Sequence, residues 1–436
     1  MSETICAIAT PPGRGGIGIV RISGPACRNV AQTLLGNVPP PRSATHSDFC
    51  TTEGEILDSG IALYFPSPAS YTGEDVLELQ GHGSPVALDR IVGYLLEQDV
   101  RLANPGEFTE RAFRNDKLDL AQAEAVADLI ASGSAEAARA ATRSLSGEFS
   151  RRVRELDQGV LMLRIFIESA IDFAEEEIDF LGDQEQQKQL AEMQALVESL
   201  IERSSAGLTM QLGLDVAIAG DPNVGKSSLL NQLLGEDRAI VTATAGTTRD
   251  TLHGELSIDG LPVRLTDTAG LRESDDPIEV MGMERAEAAL EQADCVLWVV
   301  DDEDVNAAVP EAYQTKALTV SNKCDLTGRE PGAVNDKVFR TCALTGAGLD
   351  ELREGLKGVA GFRSGIDAFA GRPRHIASLK RTHNALVTAA NELSALQGEL
   401  VAENLRVAHE CLGEIVGVTT SDDLLGEIFA TFCIGK

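Results

Sequence analysis

Hydrophobic and polar positions divide the chain into four textures. Residues 1–117 carry short apolar runs, among them 17–22 and 76–79, punctuated by Gly and Pro, a pattern that predicts an α+β domain. Residues 118–210 are rich in Ala, Glu, Leu and Gln, and Leu156, Val160, Leu163 and Ile167 recur at the i, i+4, i+7, i+11 spacing of one helix face. Between 211 and 361, apolar runs at 215–219, 295–300 and 318–321 alternate with helical patterns, which predicts a mostly parallel α/β sheet. After a Gly- and Pro-containing stretch at 361–373, helical texture runs from His375 nearly to the end. The expected fold class is multidomain, α+β and α/β. An N-terminal domain (1–117) precedes a discontinuous helical domain (118–210 and 362–436), into which an α/β domain (211–361) is inserted.

Composition narrows the classes. A chain of 436 residues exceeds what one hydrophobic core organises, and 43% hydrophobic residues is ordinary for a folded soluble protein. No stretch approaches the roughly 18 uninterrupted apolar residues of a membrane helix. Residues 1–10 lack the basic-then-apolar order of a signal peptide, so a cytoplasmic protein without membrane contact is expected. The eight cysteines lack the C-x-x-C spacing of a zinc site and read as reduced thiols. A net charge of −31, from 68 acids against 37 bases, argues against a broad nucleic-acid footprint, so any RNA contact must be local or partner-assisted.

Candidate chemistry concentrates in the α/β segment. Gly220-Asp221-Pro222-Asn223-Val224-Gly225-Lys226-Ser227 fits G-x-x-x-x-G-K-[ST], follows a predicted strand, and leads through Ser228 into a helical run. Glycines let backbone N–H groups close around phosphates, Lys226 sets a cation against the β and γ groups, and the Ser227 hydroxyl can reach Mg²⁺. Asp267-Thr268-Ala269-Gly270 follows a second strand, placing a carboxylate near the Mg²⁺ shell and the Gly270 amide near a γ-phosphate. Asn322-Lys323-Cys324-Asp325 follows a third, and the Asp325 carboxylate suits the N1–H and exocyclic amine of guanine, a donor pair adenine lacks. Cys342-Ala343 stands where related GTPases, usually with Ser-Ala, offer a backbone amide to guanine O6. Four elements in this order point to GTP as substrate.

The residue after Asp267–Gly270 is Leu271, where Ras-like enzymes carry a water-orienting Gln. An aliphatic side chain cannot hydrogen-bond, so the water must be organised otherwise. Glu273, Asp275, Asp276 and Glu279 are the nearby acids, and Arg249 and Arg272 lie in the switch segments. Read from its position alone, Glu279 is equally a solvated acid at a helix start.

Together with Gly246-Thr247-Thr248-Arg249-Asp250 and the terminal Cys433-Ile434-Gly435-Lys436, these segments resemble the MnmE (TrmE) family of tRNA modification GTPases. The resemblance runs end to end and includes 9–24, 73–85 and 115–125. It implies a potassium ion in place of an arginine finger, held at positions matching Asn223, Thr242, Thr244 and Thr247. Mg²⁺ would be held by Ser227 and Thr248, and Glu279 would position water indirectly once two G domains meet. It further implies a homodimer formed through the N-terminal domain, an MnmG-type flavoprotein partner that binds FAD and NADH, and a tRNA substrate modified at the wobble uridine. The one-carbon donor would be a 5-formyl- or 5,10-methylene-tetrahydrofolate, at positions matching Arg21, Glu78, Lys117 and Lys436. A competing reading is a regulatory GTPase of ribosome assembly, Era-like or Der-like, and a third is a folate enzyme with an inert nucleotide domain. Neither a KH-type segment nor a second G domain is visible in the sequence.

Two further motifs are set aside. Gly13-Arg14-Gly15-Gly16-Ile17-Gly18 satisfies G-x-G-x-x-G, but a strand-like run follows where a dinucleotide site needs a helix. Cys433 lies four residues from the end, yet Gly435 and Lys436 do not make a prenylation box. A basic cluster, Arg372, Arg374, His375, Lys380, Arg381 and His383, could touch tRNA or form a solvated helix face.

Overall fold

A computed structural model describes residues 3–172, 184–236, 253–267, 287–304, 309–362, 365, 367–418 and 422–435. The chain divides into two compact units, one of residues 1–127, 144–194 and 381–436, the other of residues 128–143 and 195–380.

The first unit contains a sheet of six strands among the described residues: β1 (Thr4–Ile8), β2 (Gly15–Ser23), β3 (Thr45–Cys50), β4 (Ile56–Phe65), β5 (Val76–Gly83) and β6 (Val100–Leu102), in the order β3-β4-β5-β2-β1-β6. Pairing is antiparallel except between β1 and β6. Helices α1 (Cys27–Leu35) and α2 (Pro85–Leu96) contribute to its core, where Val30, Leu34, Ile91 and Leu95 join Val20, Ile22, Phe49, Tyr64, Leu77 and Leu79. Side chains alternate across a strand, so Val20 and Ile22 enter this core while Arg21 lies on the opposite face, only half-buried. The run at 17–22 is indeed a strand, and no helix follows the glycines at 13–18.

Helix α3 (Glu107–Arg114) leads into α4 (Leu120–Ala131), α5 (Ala135–Leu145), α6 (Glu148–Asp172) and α7 (Gln184–Leu212). Leu156, Val160, Leu163 and Ile167 all lie on α6, and each is buried, as their spacing predicts. Three helices, Pro373–Ser394, Gly398–Val416 and Asp422–Ala430, form the C-terminal segment. Within the first unit, Phe429 and Phe432 pack with Leu120 and Phe113.

The second unit holds a seven-stranded sheet among the described residues: β7 (Leu214–Gly220), β8 (His253–Ile258), β9 (Leu261–Asp267), β10 (Cys295–Asp301), β11 (Ala317–Asn322), β12 (Gly332–Asn335) and β13 (Val338–Arg340). Their order is β12-β13-β11-β10-β7-β9-β8, parallel except for the two outer pairs. Strands β7, β10 and β11 are buried almost throughout, as expected where both faces of a parallel sheet are covered. Helix α8 (Lys226–Glu236) starts two residues earlier than the apolar pattern suggested, directly at the end of the glycine-rich loop. Among the described residues no helix is long and apolar enough to cross a membrane, and all eight cysteines are free thiols.

A buried ion network fixes α3. Glu107 accepts from Arg101 Nη1 and Nη2 at 2.7 Å each, from Arg111 Nη2 at 2.8 Å and from the Asn104 amide at 2.9 Å. Arg111 also reaches Glu74 at 2.8 Å. Burial disfavours the Glu107 carboxylate, but the bonds from Arg101, Asn104 and Arg111 prevail and bring its pKa from 4.5 down to about 2. Because the folded value is lowered, the stabilisation is fully present above the unfolded pKa and is lost as pH falls through the interval from 4.5 to about 2. Glu107→Gln should destabilise the protein at neutral pH by on the order of 3 kcal/mol. Urea midpoints of the variant and the wild type should converge as pH falls through that interval, and parallel profiles would contradict this assignment.

Candidate functional site

Where β7 ends, the backbone turns into a loop that hands over to α8. Gly220, Asn223 and Gly225 all have positive φ, 142°, 64° and 98°. At Gly220 a Cβ would collide with the Val299 carbonyl oxygen, and at Gly225 with the Asn322 amide nitrogen, so both positions demand glycine. Lys226 opens α8, and its Nζ donates to the carbonyls of Gly220 (3.0 Å) and Asp221 (2.7 Å), which holds the ammonium across the loop. The next residue, Ser227, points its hydroxyl at Asp267 Oδ2, 3.3 Å away at the end of β9. A hydroxyl and a buried carboxylate side by side make a hard oxygen pair of the kind Mg²⁺ takes. Val224 is buried within the loop and Ser228 is exposed on the first turn of α8.

The base-side loops are tied to this cradle by Asn322, which is 1% exposed. Its Nδ2 donates to the Val224 carbonyl at 2.9 Å, and its Oδ1 accepts the Ala343 N–H at 2.9 Å and the Thr341 hydroxyl at 3.4 Å. Through this bond the Ala343 amide helps bind three loops together. Lys323 adopts a left-handed conformation (φ 67°) and donates to Asp301 Oδ2 at 2.8 Å. Asp325 is exposed on the short helical turn Cys324–Thr327. Cys342 and Cys324 are buried, and burial pushes the Cys324 thiol up. Thr242, Thr244, Thr247, Thr248, Thr268, Ala269, Gly270 and Glu279 lie outside the described residues.

A second cluster forms on the outer face of the N-terminal sheet. Arg21 on β2 stands opposite Glu78 on β5, and its Nε donates to Glu78 Oε1 at 2.8 Å. The guanidinium also lies 5.7 Å from the Tyr71 ring and 5.8 Å from the Phe108 ring. Lys117 donates to the Pro68 carbonyl at 3.0 Å, and Asn115 to the Thr72 carbonyl at 2.7 Å, pinning the loop around 68–73. Arg21, Glu78 and Lys117 therefore gather around one loop, while Lys436 lies outside the described residues. Tyr71 escaped sequence reasoning; it is 37% exposed, with its hydroxyl bonded to Thr109 Oγ1 at 2.9 Å. An aromatic inside Ser70-Tyr71-Thr72-Gly73 was the one signal available. Helix α3 supports the cluster through Phe108 and Thr109, and its N-cap Gly106 donates to the Cys433 carbonyl at 3.4 Å. Of the basic cluster, Arg372 donates to Asp128 Oδ1 at 2.7 Å, Arg381 pairs with Glu414 and His375 is buried, so these three are not an open cationic face.

The parallel sheet, the glycine-rich loop ending at Lys226 and the paired Ser227 and Asp267 define a P-loop GTP hydrolase. Family comparison is consistent across the chain. One family profile, the MnmE helical domain, matches residues 120–433, and another, the GTP-binding protein TrmE N-terminus, matches residues 4–117. The chain is 50% identical to the tRNA modification GTPase MnmE of Saccharophagus degradans, with 100% of this chain and 99% of the relative covered. It is 49% identical to that of Stutzerimonas stutzeri and 50% identical to that of Pectobacterium atrosepticum, with the same coverage. The chain belongs to the MnmE family of tRNA modification GTPases.

Gly225→Ala should leave the far-UV circular dichroism of the whole chain unchanged but weaken GTP binding at least about tenfold, because the added methyl displaces Asn322. Fluorescent-nucleotide titration reads this, and wild-type affinity would refute the steric account.

Proposed function

We propose that this chain is a potassium-dependent GTPase that acts with an MnmG-type flavoprotein to form a carboxymethylaminomethyl group at C5 of the wobble uridine of certain tRNAs. The observation that carries the reading is the joined cradle, in which Lys226, Ser227 and Asp267 converge while Asn322 holds the base loops against them. It matches the activity in the relatives' names, and the 99% coverage of those relatives supports carrying it to the whole chain. The working division is 1–117 for folate binding and dimerisation, 118–210 and 362–436 for the helical domain, and 211–361 for GTP.

In this scheme Lys226 holds the β- and γ-phosphates, while Ser227 and Thr248 hold Mg²⁺. The Ser227–Asp267 pair fits that ion. Asn223, Thr242, Thr244 and Thr247 would hold K⁺, which would supply positive charge to the phosphates as the guanidinium of an arginine finger does elsewhere. Glu279 would position the attacking water indirectly where Leu271 cannot, in an arrangement that two G domains of a homodimer complete. On the N-terminal sheet, Arg21, Glu78, Lys117 and Lys436 would hold a tetrahydrofolate derivative. Glu78 offers an acceptor to a pterin edge, and the cations suit a glutamate tail. When bound, the folate supplies the one-carbon unit.

GTP turnover measured in matched potassium and sodium buffers should be fast only in potassium, and Glu279→Ala should lower kcat at least about a hundredfold. Equal rates in the two salts would remove the cation from the scheme, and an unaffected variant would remove the acid. Titration with 5-formyltetrahydrofolate should weaken at least about tenfold on Arg21→Ala; unchanged affinity would reject the N-terminal assignment.

A further inference from the structure

Asp302, just after β10, has a relative exposure of 0%. Taking a lone carboxylate out of water is costly, so its partners define what it is for. They converge from both sides of the turn that carries Asp325. The Ser321 hydroxyl, immediately before Asn322, donates to Asp302 Oδ1 at 2.5 Å, and the Thr327 hydroxyl, two residues after Asp325, donates to Oδ2. Arg340, which leads into the 341–343 loop, places Nε 3.2 Å from Oδ1. Arg329 donates to the Asp302 carbonyl at 3.0 Å, and the Asp302 amide donates to the Asn322 carbonyl at 2.8 Å. The neighbouring Asp301 takes Lys323. Burial opposes the Asp302 charge, yet the Ser321 and Thr327 hydroxyls and the two arginines keep its pKa below the usual carboxylate value.

We propose that Asp302 is a positioning residue for guanine recognition: one buried carboxylate grips both ends of the 322–325 turn and the start of the 341–343 loop, and so fixes where Asp325 stands. It touches no nucleotide. The inference rests on the reading of Asp325 as the residue that recognises guanine. A side chain that only filled space here would not need an acceptor aimed at donors on either flank of the turn.

The test compares GTP with inosine triphosphate, which lacks the exocyclic amine, as substrates of the full-length chain in potassium and magnesium. Asp302→Asn, Thr327→Val and Asp325→Ala are assayed beside the wild type. Asp302→Asn should raise the KM for GTP about tenfold with kcat within about twofold, and should shrink the preference for GTP over inosine triphosphate severalfold. Thr327→Val, which keeps the buried charge and removes one donor, should move both readings the same way by less, and decides the matter if Asp302→Asn does not fold. A fall in melting temperature with KM and preference unchanged would show a role in stability alone and overturn the proposal. Loss of preference in Asp325→Ala with none in the other two would overturn it while sparing the guanine reading. An unchanged preference in Asp325→Ala would sink that reading, and this inference with it.

Discussion

The Asn322 side chain makes three hydrogen bonds that join segments far apart in sequence: to Val224 in the phosphate loop, and from Thr341 and Ala343 in the loop after β13. Each segment is irregular backbone at the end of a different strand, where nothing in the sheet itself fixes one loop against another. A buried carboxamide with both ends satisfied supplies that constraint, and breaking either end would leave a polar atom stranded. The loop that carries Lys226 and the turn that carries Asp325 are therefore held at a set separation. Asp302 adds a second grip on the same turn, through Ser321 and Thr327.

The N-terminal cluster is built on the same physical plan. Arg21 is long and has many rotamers, yet it is confined between an ion pair with Glu78 and two aromatic rings. One of those rings, Phe108, and the Thr109 that holds the other belong to α3, and α3 is anchored by the Glu107, Arg101 and Arg111 network. Order around the half-buried Arg21 thus derives from the ion network that anchors α3.

Much of this was legible in the sequence because it depends on local periodicity or on short contiguous motifs. The α6 face at Leu156, Val160, Leu163 and Ile167, the buried strands β7, β10 and β11, and the loop from Gly220 to Ser227 all express neighbours in sequence. What stayed hidden depends on contacts across long separations. Asn322 stands in a short motif read for GTP binding, while its bond to the Val224 carbonyl spans 98 positions. Tyr71 drew no reading from the sequence, and only the fold sets it beside Arg21. Asp302 was one acid in an acidic run, and only burial separates it from Glu303 and Asp304, which are exposed. No pattern within a window of residues encodes such relations.

The central claim, that a carboxamide bridge makes one guanine-selective site out of separate loops, is tested most directly by calorimetric titration of the whole chain and of Asn322→Ala with GDP and with ADP in magnesium buffer. The account predicts that the wild type binds GDP in strong preference to ADP, and that the variant loses both affinity for GDP and the preference while keeping its helical content. Wild-type binding of the two nucleotides with equal strength, or undiminished GDP affinity in Asn322→Ala, would contradict it.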